Sequence, residues 1–328
     1  DRRDGRAERP ADTASVAIDT RHGMLRAPLD VRRDVTRSSC SGSAPQARHR
    51  ASYACIDAAG RVSVVDIFGL PDWIPRPARL MSGKILKEMK TLADRSIDAR
   101  RQEPHTGTPD LLDLLLQGED PETHRRMNTS ELRDNLLTFI VAGHETTALT
   151  LGWALYLAAL DPPVPQRAHA QPRAVLGTRA ATPGDLAPRP FIRMIAHEAL
   201  RLYPPAGLIS RTALKPDTLG GRDIRPGDTV ILPIYALHRS HLYWDDPDAF
   251  RPDRFADRKA ITRYTYLPFG DGPRICIGAS FALQEAVIIL ATLLARFRFT
   301  PVPGSDPQRV GLITRRPAGG VGARAGAG

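Results

Sequence analysis

Residues 269–278, FGDGPRICIG, set one cysteine in a tight loop directly ahead of a long apolar run, and no other segment limits the fold so strongly. Gly270, Gly272 and Gly278 let the backbone turn sharply and approach a flat ligand, because no Cβ stands in the way. Arg274 lies two residues before Cys276, within reach of an anionic edge of the same ligand. The apolar run, from about residue 278 to 297, has the length of a helix and turns its positive N-terminal end toward the sulfur, which favours negative charge there. A sulfur so placed serves as a metal ligand or a nucleophile. The plainer readings are a buried structural thiol, a zinc ligand and a catalytic nucleophile. Zinc needs several clustered Cys or His ligands, and the sequence holds no CxxC or HxxxH pair. A nucleophile needs a histidine nearby in space, for which His238 and His241 are the candidates.

A chain of 328 residues can bury one large core, or two domains at most. Apolar residues make up 42% and charged residues 25%, the balance of an ordinary globular protein. The net charge of +10 suggests a nucleic-acid partner, but only five of the basic residues are lysine and no dense basic stripe interleaved with aromatics appears. Nucleic acid is therefore not expected as a partner. Three cysteines, Cys40, Cys55 and Cys276, are widely spaced and odd in number, which argues against a disulfide framework and for the reducing cytoplasm. Residues 1–20 are polar and carry no secretory signal. Residues 136–160 are apolar enough to suggest a membrane span, but His144, Glu145, Thr146 and Thr147 split them, and a charge at bilayer centre costs roughly 2.5–3.5 kcal/mol. No membrane span is expected.

Along the chain, residues 1–61 show no sustained period and are read as a poorly structured or degraded segment. Residues 62–315 form the folded body, and 316–328 a low-complexity tail expected to fray. Residues 70–77, LPDWIPRP, read as a rigid connector. Apolar residues then recur at helical spacing over 80–101 and again over 111–116. Ser130 is expected to cap a long helix reaching about Leu160, with Glu131 and Asp134 near its positive end. Some thirty residues at about 1.5 Å each make a rod near 45 Å. Seven prolines in 161–190 speak against an uninterrupted helix there. Residues 191–203 are again helical, and 208–236 alternate short β-rich runs with turns at Gly220-Gly221 and Pro226-Gly227.

Three further constellations accompany the cysteine loop. AGHETT, residues 142–147, puts an acid and an alcohol among apolar neighbours in the middle of the long helix. A buried carboxylate is costly unless paired or used, and a threonine can bond back to the preceding turn and open room for a small ligand. Against this stands a plain buried helix with one satisfied acid. HEALR places Glu198 and Arg201 three apart on one helical face, which alone means only a surface ion pair. FRPDRF, residues 250–255, contributes Arg254, and LISRTALKPD contributes Arg211 on a β-rich run.

Taken in order, these segments resemble the cytochrome P450 family. FGDGPRICIG matches its haem-ligating loop FxxGxRxCxG at every fixed position. Over about residues 62–315 the resemblance implies a mainly α fold with a small β region, here read as lacking or having degraded its N-terminal part. It implies haem b (iron protoporphyrin IX) as cofactor, with Cys276 as the ligand to the iron and Phe269, Arg274 and Gly278 in the loop beside it. Arg211 and Arg274 correspond to haem-propionate partners, and Ala142 and Gly143 permit close approach to the haem face. Glu145 and Thr146 correspond to the residues that relay protons to dioxygen. Glu198, Arg201 and Arg254 correspond to a structural triad, in which Asp253 stands where glutamate is more usual. His238-Arg239 also matches a common pattern of the family, with no role assigned. The implied activity is insertion of one oxygen atom from O2 into an apolar small molecule. No flavin or nicotinamide fingerprint is present, so electrons are expected from a ferredoxin or another separate donor protein. The alternative is an inactive remnant that binds haem weakly or not at all. A peroxide-using enzyme is disfavoured by AGHETT.

Overall fold

The computed structural model describes residues 16–19, 77–104, 106–161, 163–185, 190–304, 306–311, 315–317 and 321–327. Cys40, Cys55, Trp73 and nearly all of the expected N-terminal segment and connector lie outside the described residues.

After a short strand β1 (Val16–Asp19), five helices follow: α1 (Pro77–Gln102), α2 (Leu111–Gln117), α3 (Thr129–Leu160), α4 (Pro163–Leu176) and α5 (Pro190–Leu202). The expected β region comes next, as β2 (Ile209–Thr212), β3 (Asp217–Leu219), β4 (Arg222–Ile224) and β5 (Thr229–Leu232). A single-turn helix α6 (Ile234–Leu237), a meander, the cysteine loop and α7 (Ala279–Arg296) complete the body, followed by β6 (Phe297–Pro301), β7 (Arg309–Gly311), β8 (Arg315–Pro317) and β9 (Gly322–Ala327). The class is mainly α with small sheets, as expected.

The rod α3 organises the molecule. Its cap is Asn128 rather than Ser130: the Asn128 side chain accepts from the Glu131 N–H, and the Glu131 carboxylate accepts in return from the Asn128 N–H. This reciprocal box satisfies two of the orphan donors at the helix start. Ser130 instead donates its hydroxyl to the Asn128 side chain at 2.6 Å. The first half of α3 buries Leu132, Leu136 and Leu137 against Met89, Ala93 and Ile97 of α1 and Leu112 of α2. Its second half enters a larger core with α4, α5 and α7. The stretch 136–160, apolar on nearly every face, is thus buried in protein on opposite sides.

The proline-rich stretch is not one uninterrupted helix, as expected: it is helical over Pro163–Leu176, and the next α-helix begins at Pro190. Pro163 and Pro165 occupy the first turn, where no intrahelical N–H bond is needed, and only Pro172 interrupts the ladder. Packing outweighs that one lost bond: Ala168 and Pro172 are buried, and the His169 ring bonds the Leu294 carbonyl of α7 at 2.7 Å.

The tail does correct an expectation. Gly322–Ala327 does not fray but forms the middle strand of a sheet ordered β1-β9-β6, antiparallel to both neighbours. Ala323 and Ala325 are buried in the main core, and their small side chains allow the sheet to lie close to the helices. Among the described helices, α7 has the length and apolarity to cross a membrane, yet Ala286, Val287, Leu290, Ala291 and Ala295 on it belong to this same core.

Candidate functional site

The centre of α3 opens on one side. Ala142 is exposed and Gly143 and Thr146 are half-buried, while His144, Glu145, Thr147 and Ala148 are buried. Thr146 donates its hydroxyl to the Ala142 carbonyl at 2.7 Å, one turn back, as the sequence suggested. Thr150 repeats the pattern on the Thr146 carbonyl at 2.9 Å. These hydroxyls share carbonyls with the continuous helix ladder at the place where the open face lies. Consecutive helical residues diverge by about 100°. Thr146 therefore borders the open face, whereas Glu145, 5% exposed, packs inward.

The cysteine loop is held by its backbone. Cys276 N–H donates to the Phe269 carbonyl at 2.9 Å, closing the loop, and Ile275 N–H donates to Gly272 at 3.0 Å. Gly270 and Gly272 have φ of +71° and +73°, which side-chain-bearing residues rarely adopt. Gly278 differs from expectation: its φ is −84°, and an added Cβ would meet Cys276 Sγ only at 3.9 Å, an ordinary contact. It is the residue before α7 without being a required turn. Cys276 is a free, exposed thiol, and residues 271–277 are all exposed, including the apolar Ile275 and Ile277. Phe269 is half-buried.

The β region reaches this loop. A Cβ on Gly270 would stand 3.4 Å from Ile209 Cδ1 of β2. Arg211, two residues on, leaves β2 on the same face as Ile209. Its guanidinium rests on the Ser210 carbonyl at 2.8 Å and is exposed, as is Arg274. The α7 helix that begins at the loop packs against α3. β2 and α7 thus both meet the loop that carries Cys276, β2 at Gly270 and α7 at the loop's end, and the open turn of α3 belongs to a helix packed on α7.

The structural triad that the resemblance implied is a buried ion core, tied to the loop's approach through His238. Glu198 and Arg201 on α5 are fully buried and joined by two bonds of 2.8 Å. All five guanidinium donors of Arg201 are used: two on Glu198, and the rest on the carbonyls of His238 (2.8 Å), Pro247 (2.7 Å) and Ala249 (3.1 Å). Glu198 Oε1 also accepts from the Arg251 N–H at 2.9 Å and lies 3.4 Å from Arg254 Nε. Burial lowers the Arg254 pKa, and the Glu198 charge opposes that shift. Asp253 turns outward to Arg167 of α4 at 2.8 Å.

Two histidines, His197, which the sequence reading passed over, and His238, to which it assigned no role, flank Tyr266 just before the loop. Desolvation lowers His238 from 6.5 to about 4 and His197 from 6.5 to about 3. Both are therefore neutral when folded, and the unfolded chain binds more protons below pH 6.5. Stability is expected to fall as pH drops through 6.5 and to level off near 4 for His238, which contributes about 3 kcal/mol over that span. Urea midpoints measured between pH 7 and 4.5 check this. A flat profile there contradicts it.

The donor set suits a haem. Among the described residues no group of three or more His, Cys, Asp and Glu could hold a metal ion. A lone thiol suits a metal that brings its other ligands with it, as iron in a porphyrin does. The thiol is the soft donor, and the exposed guanidiniums of Arg211 and Arg274 suit two carboxylates.

The comparisons agree. The profile of the family described as Cytochrome P450 matches residues 8–312. Cyclooctatin synthase of Streptomyces melanosporofaciens is 35% identical over 308 residues, 92% of this chain and 66% of that protein. Cyclooctat-9-en-7-ol 5-monooxygenase of the same organism is 36% identical over 239 residues, 72% of this chain and 52% of that one. The chain thus spans between about half and two-thirds of the length of these relatives. A crystal structure of a cytochrome P450 superposes with a TM-score of 0.81 at 27% identity, covering 97% of this chain and 70% of that one. Loop, ion core, fold and relatives converge, and the chain belongs to the cytochrome P450 family.

Proposed function

We propose that this chain is the catalytic part of a haem-thiolate monooxygenase that converts an apolar small molecule, dioxygen, two electrons and two protons into a hydroxylated product and water. The observation that carries this reading is the free Cys276 thiol, exposed on a backbone-locked loop ahead of α7. Bound there, haem b supplies the activation of O2, with the thiolate pushing electron density that favours O–O cleavage. The remaining steps belong to the chain. Cys276 supplies the sulfur ligand, and Arg211 and Arg274 bind the propionates. Ala142 and Gly143 leave the open turn of α3 free of bulk.

Thr146 already donates its proton to the Ala142 carbonyl, so its oxygen is free to accept a hydrogen bond on the open face. We assign it the task of orienting a proton donor there, with Glu145 feeding protons from inside the helix. Thr146→Ala is expected to leave haem content nearly unchanged while diverting electrons from product to peroxide, and Glu145→Gln to slow turnover. Unchanged coupling of electron use to product in both variants removes these roles.

Electrons are proposed to come from a ferredoxin or another separate donor in the cytoplasm. A Bacillus subtilis relative, 35% identical over 251 residues, is named a bifunctional cytochrome P450/NADPH–P450 reductase, so the family also contains proteins carrying both functions. The deciding experiment is one spectrum of the haem-reconstituted, reduced, CO-treated chain. A red-shifted Soret band of thiolate type supports the reading, and its absence leaves the inactive remnant as the better one.

A further inference from the structure

We propose that His238 is a positioning residue for the cysteine loop: its neutral imidazole, protonated on Nδ1, ties the loop's first residues to the buried ion core. The inference rests on the haem-thiolate reading for its functional meaning, though its geometry stands without it. His238 is fully buried at the end of α6. Its Nε2 lies 2.8 Å from the Leu267 backbone nitrogen, and its Nδ1 lies 3.2 Å from the Arg201 carbonyl. A backbone N–H can only donate and a carbonyl can only accept. Both neighbours therefore select the same tautomer, with Nε2 bare and Nδ1 carrying the proton.

The connection continues in both directions. Arg201, locked on Glu198, donates back to the His238 carbonyl at 2.8 Å, so ring and main chain of His238 both belong to the ion core. On the other side, the Leu267 carbonyl accepts from Gly270 N–H at 3.1 Å, where the chain enters its left-handed turn. Phe269, between them, accepts from Cys276 N–H. An unbroken series of bonds thus runs from Glu198 to the cysteine backbone, and the His238 ring carries it from the ion core to the loop. Tyr266 reinforces it by stacking on His238 with ring centres 5.3 Å apart, while the Tyr266 hydroxyl bonds the His197 ring at 2.9 Å. Burial beside Arg201 and Arg239 keeps the ring neutral, which the bond to Leu267 requires.

Two substitutions separate the two bonds. His238→Gln carries its amide far enough to accept from Leu267 N–H, whereas His238→Asn carries it only to the depth of Nδ1. In the haem-free chain, the Asn variant is expected to speed hydrogen exchange at the Leu267 and Cys276 amides about tenfold, the loss of one hydrogen bond. The Gln variant should stay near the parent, and core amides such as Ile97 should not change in either. After haem reconstitution, the Asn variant should lose part of the red-shifted Soret band of the reduced CO complex and the Gln variant should keep it. Equal exchange in the two variants overturns the inference. Should both fail to fold, nitrogen-15 shifts of the parent imidazole decide: a bare Nε2 supports the link, and a protonated Nε2 overturns it. If the parent shows no thiolate-type band at all, the monooxygenase reading fails, while tautomer and exchange still report on His238.

Discussion

Replacing Cys276 by serine is expected to abolish the red-shifted Soret band of the reduced CO complex while leaving the chain folded. The two halves of that expectation come from separate features. A hydroxyl is a poor soft donor, so the ligand that gives the band its position is lost. The loop itself is closed by the backbone bond from Cys276 N–H to the Phe269 carbonyl, which serine keeps. The side chain is exposed, and substitutions at exposed sites without special backbone roles usually change stability by about 0.5 kcal/mol or less. Urea midpoints of parent and variant should therefore agree. Cys40→Ser and Cys55→Ser are expected to leave the band intact. A thiolate-type band in the Cys276 variant assigns the ligand elsewhere.

How much of this was legible beforehand depends on whether the signal was local. The loop, the long helix and the hairpins were readable because glycines, an apolar period and turn residues act within a few positions of one another. The position of Thr146 over the Ala142 carbonyl followed from helix geometry alone. The cap at Ser130 was a local misreading, since Asn128 forms the box with Glu131, whereas the tail is a case of packing overriding local preference. The prolines of 161–190 do rule out an uninterrupted helix, but two of them fall in a first turn and so leave Pro163–Leu176 helical. The alanine- and glycine-rich tail looked structureless because β propensity is a property of neighbours, and Gly322–Ala327 has a strand on each side. The spacing of Glu198 and Arg201 alone meant only a surface pair, and it was the resemblance that implied the structural triad the fold contains. Their depth comes from carbonyls 37 to 48 residues away that close over the guanidinium. His238 stood in a family pattern, but its role was not readable, because its partners are a carbonyl and an N–H, groups that nearly every residue carries.

That depth gives the second large effect. Glu198→Ala is expected to deprive the chain of soluble, folded protein, with a loss of about 3–5 kcal/mol against a typical total of about 5–15. The cost is not the Coulomb energy of one pair. Removing the carboxylate leaves Arg201 charged, fully buried and with two of its five donors unmet, and it strips the Arg251 N–H of its acceptor. Arg254→Ala should cost less, because that side chain is 11% exposed and reaches Glu198 only at 3.4 Å. Glu198→Gln should fall between, since the amide keeps one acceptor oxygen but no charge. Denaturant midpoints in that order, with Glu198→Ala lowest, fit a buried core in which Glu198 balances two arginines. If Glu198→Ala unfolds at the same denaturant concentration as the parent, the carbonyls alone solvate Arg201 and the carboxylate has another purpose. A double-mutant cycle of Glu198→Ala with Arg254→Ala then isolates their coupling, which should be well below that of Glu198 with Arg201 because only the latter pair shares two hydrogen bonds.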